Sequence, residues 1–173
     1  MKQKCLVVAL IGFGLVALNM FAPLSAMCLS PTMFGNVSAQ QNIAAGVKPG
    51  WLTDYRKSLE TASGEKKAVL LDFTGSDWCV WCIRLRKEVF ETAKFSKYSS
   101  NNLVLVESDF QNRKSQSDES RKQNRELQEQ LGIEGVPTIV VLNSEGKPLG
   151  RINYVPGGPQ PLIEKMESII KGK

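Results

Sequence analysis

The stretch Val69-Leu70-Leu71-Asp72-Phe73-Thr74-Gly75-Ser76-Asp77-Trp78-Cys79-Val80-Trp81-Cys82 decides the fold. Val69 to Phe73 reads as a short buried strand and Gly75-Ser76-Asp77 as a turn. The cysteines then open a helix running from Cys79 to about Val89. In the first turn of a helix the amide groups are unpaired and the dipole is positive, so a thiolate at Cys79 is favoured over the thiol. Cys82 follows one turn later on the same face, close enough to close a disulfide onto Cys79.

A second signature stands downstream. Gly135-Val136-Pro137-Thr138 precedes another apolar run, Ile139-Val140-Val141-Leu142. A proline just before a central strand is awkward outside a tight, usually cis, turn. With W-C-x-x-C upstream and G-V-P-T downstream, the chain resembles the thioredoxin family from about Trp51 to its C-terminus. The resemblance implies an α/β thioredoxin fold, a central mixed sheet flanked by helices, here with an added N-terminal helix. It also implies a protein dithiol-disulfide oxidoreductase with a redox-active Cys79–Cys82 disulfide.

In that reading Cys79 is the attacking nucleophile, as the helix-terminus argument also indicates. Cys82 is the more buried thiol that resolves the mixed disulfide. Pro137, if cis, packs against the two sulfurs and leaves the backbone of Val136 to pair with an extended substrate. Trp78 matches the family's tryptophan before the first cysteine, where it shields the pair and contacts substrate. Trp81, between the cysteines, is the other expected substrate contact. The blander alternatives are a static disulfide, a plain turn proline and a core tryptophan.

Two aspartates are candidates for a proton relay. Many thioredoxins bury an aspartate near the resolving cysteine, and Asp72 falls in the corresponding strand, though one residue further from the first cysteine than in the common pattern. Asp77 competes with it, with a turn or cap at the helix start as its other reading. The lysine that many thioredoxins carry in the next strand is missing, since Leu103 to Val106 holds no charge.

Composition narrows the chemistry. The chain has 173 residues, 42% hydrophobic and 23% charged, ordinary values for a single soluble domain. Its net charge is +5. Lys2 and Lys4 supply two of those charges, and the rest of the chain is too mildly basic to argue for nucleic acid. There is no histidine, which removes a His general base and every His-containing metal site. No cofactor and no metal are expected.

The N-terminus reads as an export signal: Lys2 and Lys4, then an apolar core from Leu6 to Ala22, then small-residue cleavage sites ending at Ala26 or Ala39. An uncleaved membrane anchor is the alternative. Cleavage at Ala39 would also remove Cys5 and Cys28, leaving Cys79 and Cys82 as one redox pair in a compartment where disulfides form. Residues 1–39 are therefore expected as signal peptide, 40–50 as a flexible lead-in and 51–173 as the thioredoxin-like domain. The expected location is the periplasm, and a monomer is expected.

Along the domain, Trp51 to Ala62 shows helical spacing with Gly64 as its stop. Thr92 to Tyr98 reads as a short helix or irregular turn, and Leu103 to Val106 as a buried strand ending at Glu107-Ser108-Asp109. Gln111 to Gln130 is very polar and helical from about Asp118, with Leu127 and Leu131 inward; a solvated helix is its plain reading and a docking surface its sharper one. Ile139–Leu142 and Leu149–Tyr154 form a hairpin. A last helix starts at Gly157-Gly158-Pro159 and buries Leu162, Ile163, Met166, Ile169 and Ile170. In the helix after Cys79, Ile83, Leu85, Val89 and Phe90 should face the sheet, and Arg84, Arg86, Lys87 and Glu88 the solvent.

Val80-Trp81 sets the expected direction of chemistry. A histidine cation between the cysteines would stabilise the thiolate and make the protein oxidising. Val80 and Trp81 supply no charge, which places the couple nearer roughly −270 mV than roughly −120 mV. That favours a reductase of disulfides in exported proteins, recycled by a membrane thiol electron donor. An isomerase or oxidase is the alternative within redox chemistry. A thiol module that binds a soft metal such as Cu(I), or client proteins, is the alternative outside it.

Overall fold

Strand β2 (Ala68–Thr74) lies at the centre of the sheet because almost nothing in it tolerates water on either face. Val69, Leu70, Leu71 and Phe73 are fully buried. The computed structural model describes residues 50–172, so the expected signal, its cleavage sites, the anchor alternative and nearly all of the lead-in lie outside the described residues. The elements run β1 (Trp51–Leu52), α1 (Tyr55–Glu65), β2, α2 (Val80–Leu85) with a π-helical continuation (Arg86–Phe90), and α3 (Ala93–Asn102). They continue with β3 (Leu103–Asp109), α4 (Asp118–Gln130), β4 (Thr138–Leu142), β5 (Pro148–Asn153) and α5 (Pro159–Ile170).

The strands form one mixed sheet in the order β1-β3-β2-β4-β5. β3 pairs in parallel with β1 and β2; β4 is antiparallel to both β2 and β5. Alternation along each strand divides the core into two halves. Leu70, Leu103, Leu105, Ile139 and Val141 pack against Leu85 and Val89 and against Leu162 and Met166 of α5. Val69, Leu71, Phe73, Val104, Val106, Val140 and Leu142 pack against Ala62 of α1 and Leu127 of α4. Each such fully buried side chain stabilises the fold by about 1.5–3 kcal/mol.

Several boundaries depart from the sequence reading for identifiable reasons. Trp51 and Leu52 are strand, not helix: they pair with Leu105 and Val106, and Trp51 is buried with its ring 5.0 Å from that of Phe90. The helix starts only after Asp54, whose carboxylate accepts the Lys57 N–H at 3.0 Å. It then passes through Gly64 and ends at Lys66, which takes the left-handed conformation at φ 54°. α3 is a full helix of 10 residues, capped by the Thr92 hydroxyl. In the last turn of α5, Ile170 is exposed at 37% rather than buried.

The largest difference concerns β3. Its apolar run stops at Val106, yet the strand continues with Glu107, Ser108 and Asp109, all buried. Glu107 stands in register with Asp72 and Asp109 with Thr74. Three polar side chains therefore enter the sheet at the end that carries the cysteines.

Candidate active site

β2 ends at Thr74, and Gly75 turns the chain toward α2. The glycine is required by close approach: a Cβ there would lie 2.5 Å from Cε2 of Trp78. The Gly75 carbonyl accepts the Cys79 N–H at 2.9 Å. Cys79 then takes the N-cap position of α2 with extended backbone, and its Sγ accepts the Cys82 N–H at 3.1 Å. Cys79 and Cys82 are joined by a disulfide, their Cα atoms 5.2 Å apart. Cys79 is 7% exposed and Cys82 3%, so both cysteines are recessed and Cys79 is the less buried of the two.

The Val136–Pro137 peptide bond is cis. The Val136 carbonyl oxygen lies 3.9 Å from Cys79 Sγ. The structure thus brings together Cys79, Cys82 and the Val136–Pro137 turn. Trp78 and Trp81 flank them, 43% and 53% exposed. Val80 is exposed between the cysteines. Exposed aromatics therefore surround the recessed sulfurs.

Asp77 plays a part that neither sequence reading names. The helix cap belongs to the sulfur of Cys79. The Asp77 carboxylate instead accepts the backbone N–H groups of Asn112, Arg113 and Lys114, the shortest at 2.6 Å to Arg113. Desolvation pushes this carboxyl upward, but the amides outweigh it and hold the group below its ordinary value. A group depressed in the folded state stabilises fully above its unfolded value of about 3.9, and that stabilisation is lost as pH falls through the folded value. Asp77→Asn should therefore be less stable than the parent at neutral pH, and the gap should close on acidification below about pH 3.9. Thermal unfolding of both proteins across that range measures this; a gap independent of pH would contradict it.

Asp72 is buried at 3%. By alternation with Leu70 it points to the face covered by α2. Its in-register neighbour Glu107 is held by Arg86, Nη2 to Oε1 2.9 Å. Arg86 is accordingly half-buried rather than solvated, because a carboxylate inside the sheet needs a charged partner. The sequence reading missed Glu107 and Arg86. The signal available was that β2 itself carries an acid in an apolar run, so an acid after Val106 need not end β3.

Asp109 was also missed. It is 6% exposed and accepts the Ser76 N–H at 2.8 Å, the Ser76 hydroxyl and the Gln111 side-chain amide. Its own carbonyl accepts Nδ2 of the buried Asn124 at 2.8 Å and Nε2 of Gln116 at 3.0 Å. The Trp78 indole N–H donates to the Phe110 carbonyl at 2.6 Å. Through these bonds the polar connection before α4 holds the loop that presents the cysteines.

On the other flank, Trp81 packs against Tyr154 with ring centroids 5.3 Å apart, and the Arg84 guanidinium lies over both rings. Glu88 accepts from the Tyr154 hydroxyl and from Arg84, each at 2.7 Å. Those two bonds, Tyr154's first, hold the Glu88 carboxyl below its ordinary value. The bond to Glu88 in turn raises the Tyr154 hydroxyl.

A dithiol pair closed at the head of a helix, facing a cis-proline turn on a mixed sheet, defines a class. A family model described as a thioredoxin-like domain matches residues 55–161, and the chain belongs to that family. It is a thiol-disulfide oxidoreductase. Among curated relatives it is similar to the disulfide bond reductase DsbH of Chlamydia pneumoniae, 36% identical over 117 residues that cover 68% of this chain and 70% of DsbH. The solved structure of a DsbH oxidoreductase aligns with a TM-score of 0.68 at 34% identity, covering 78% of this chain and 92% of that one. The thiol:disulfide interchange protein DsbD of Vibrio cholerae is 32% identical over 98 residues, 57% of this chain but only 15% of DsbD.

Proposed function

We propose that this protein reduces disulfides in exported proteins, as a monomer in the periplasm. The observation that carries the proposal is the position of Cys79 Sγ: it caps α2, accepts the Cys82 amide and faces the Val136 carbonyl. A thiolate there is stabilised by the Cys82 amide and the helix terminus, while Val80-Trp81 adds no cation and the chain has no histidine. Modest stabilisation of the reduced form keeps the couple reducing. The similarity to a protein named as a disulfide bond reductase supports the same direction.

The Cys79 thiolate attacks one sulfur of the client disulfide, and the other client sulfur leaves as a thiolate and takes a proton. Cys82 loses its proton and attacks Cys79 Sγ, releasing the second client sulfur as a thiol. Two electrons pass to the client and the Cys79–Cys82 disulfide remains. Asp72, buried beneath α2, is the proposed acceptor of the Cys82 proton. Trp78, Trp81, Val136 and Pro137 contact the client. Return to the dithiol takes two electrons and two protons from a membrane thiol carrier. Residues 1–39 direct export.

The test is catalysis of client reduction with a dithiol as donor. Insulin disulfides should be reduced at substoichiometric protein, well above the rate of the dithiol alone. A protein that binds Cu(I) stoichiometrically and shows no turnover would contradict the proposal.

A further inference from the structure

Beside the cysteines the surface opens into a groove of about 1130 Å³. Trp81 and Arg84 of α2, Arg151 of β5 and Tyr154 line it, with Lys165 of α5. Val136 and Pro137 border it as well, and the Val136 carbonyl lies 3.9 Å from Cys79 Sγ. A polypeptide that presents a disulfide to Cys79 crosses this turn, so one of its two arms runs along the groove.

The charge of the groove is one-sided. Its lining carries Arg84, Arg151 and Lys165 against the single acid Glu134. Arg84 is paired with Glu88 at 2.7 Å, which leaves Arg151 and Lys165 against Glu134, an excess of one positive charge. Arg151 is oriented by donating to the Leu131 carbonyl and, at 3.1 Å, to the carbonyl of Gly132, which also lines the groove. Carbonyl oxygens fix a guanidinium without cancelling its charge, and of its five N–H groups others remain for a carboxylate.

We propose that this groove selects polypeptide clients carrying Asp or Glu on one side of the reactive cysteine, with the carboxylate held by Arg151 and drawn in by Lys165. This rests on the reading that protein disulfides are the substrate. The Trp81–Tyr154 pair, tied down by Arg84 and Glu88, supplies an aromatic shelf for the neighbouring part of the same arm.

The test uses disulfide-linked peptides identical except for Asp, Asn or Lys at one position, walked along both sides of the cysteine, with single-turnover reduction by the pre-reduced protein. At about 10 mM ionic strength, where screening extends over about 30 Å, the Asp peptide should react about tenfold faster than the Lys peptide. The effect should be confined to one side of the cysteine. At about 1 M salt, with screening over about 3 Å, the ratio should approach one. Arg151→Gln and Lys165→Glu should each lower the ratio at low salt. Lys57→Glu, the same charge change as the latter on an exposed position of α1, should not. Lys165 is exposed, so its variant keeps the test sharp should Arg151→Gln disturb the Leu131–Gly132 turn. Equal rates for all three peptides, or a ratio that Lys57→Glu lowers as much as Lys165→Glu, would overturn the selectivity and leave the reductase standing. Failure to reduce any peptide would remove both.

Discussion

Replacing Cys79 by serine lowers disulfide turnover to below about one-thousandth of the parent rate, because a serine hydroxyl cannot supply the thiolate that opens the client disulfide. Replacing Cys82 by serine has a different consequence. Cys79 still attacks, but nothing resolves the product, so the chain accumulates as a mixed disulfide with its client. The geometry makes this asymmetry a strong expectation. Cys79 holds the N-cap and the outward position at 7% exposure, while Cys82 lies one turn deeper at 3%. Non-reducing electrophoresis of the two variants after incubation with an oxidised client measures it: stable adducts with Cys82→Ser, none with Cys79→Ser. Adducts formed equally by both, or only by Cys79→Ser, would reverse the assignment of nucleophile and resolving thiol.

Asp109→Ala costs about 3 kcal/mol of stability. The buried carboxylate accepts three hydrogen bonds, from the Ser76 amide, the Ser76 hydroxyl and Gln111. Alanine leaves those half-buried donors without their acceptor, and an unsatisfied buried donor costs about 1–3 kcal/mol. The damage reaches the site because Ser76 lies between Gly75, whose carbonyl holds the Cys79 amide, and Trp78, whose indole is fixed on Phe110. Denaturant unfolding gives the loss, and the turnover of Asp109→Ala should fall with it, while Asp109→Asn, which keeps an acceptor oxygen, should lose less of each. A variant of parental stability would show that the carboxylate does not hold the loop.

How much of this was legible in the sequence depends on whether a residue's role is local. The strand, turn and helix around Val69 to Cys82 are readable because burial on both faces, turn chemistry and cysteine spacing all act within a few residues. The same holds for α4, whose start at Asp118 and inward Leu127 follow from its own pattern. Trp51–Leu52 was not readable: the helical spacing of Trp51, Leu52 and Tyr55 is real, but pairing with β3 and contact with Phe90 outweigh it. Nor was the end of β3, where burial of Glu107 and Asp109 depends on Arg86 and Ser76, 21 and 33 residues away in the chain. At the site itself, the cysteines and the Val136–Pro137 turn were legible from motif alone. The supports were not, since Asp77 finds its donors in the 112–114 loop and Arg84 stacks on a tyrosine from beyond β5.

The reduction potential of the Cys79–Cys82 pair bears most directly on the central claim. Equilibrated against glutathione and read by thiol alkylation, it should lie near or below roughly −270 mV, so that the disulfide is the stable form and the reduced protein donates electrons. A value well above that, toward roughly −120 mV, would contradict the reductase and make the protein an isomerase or oxidase of the same fold.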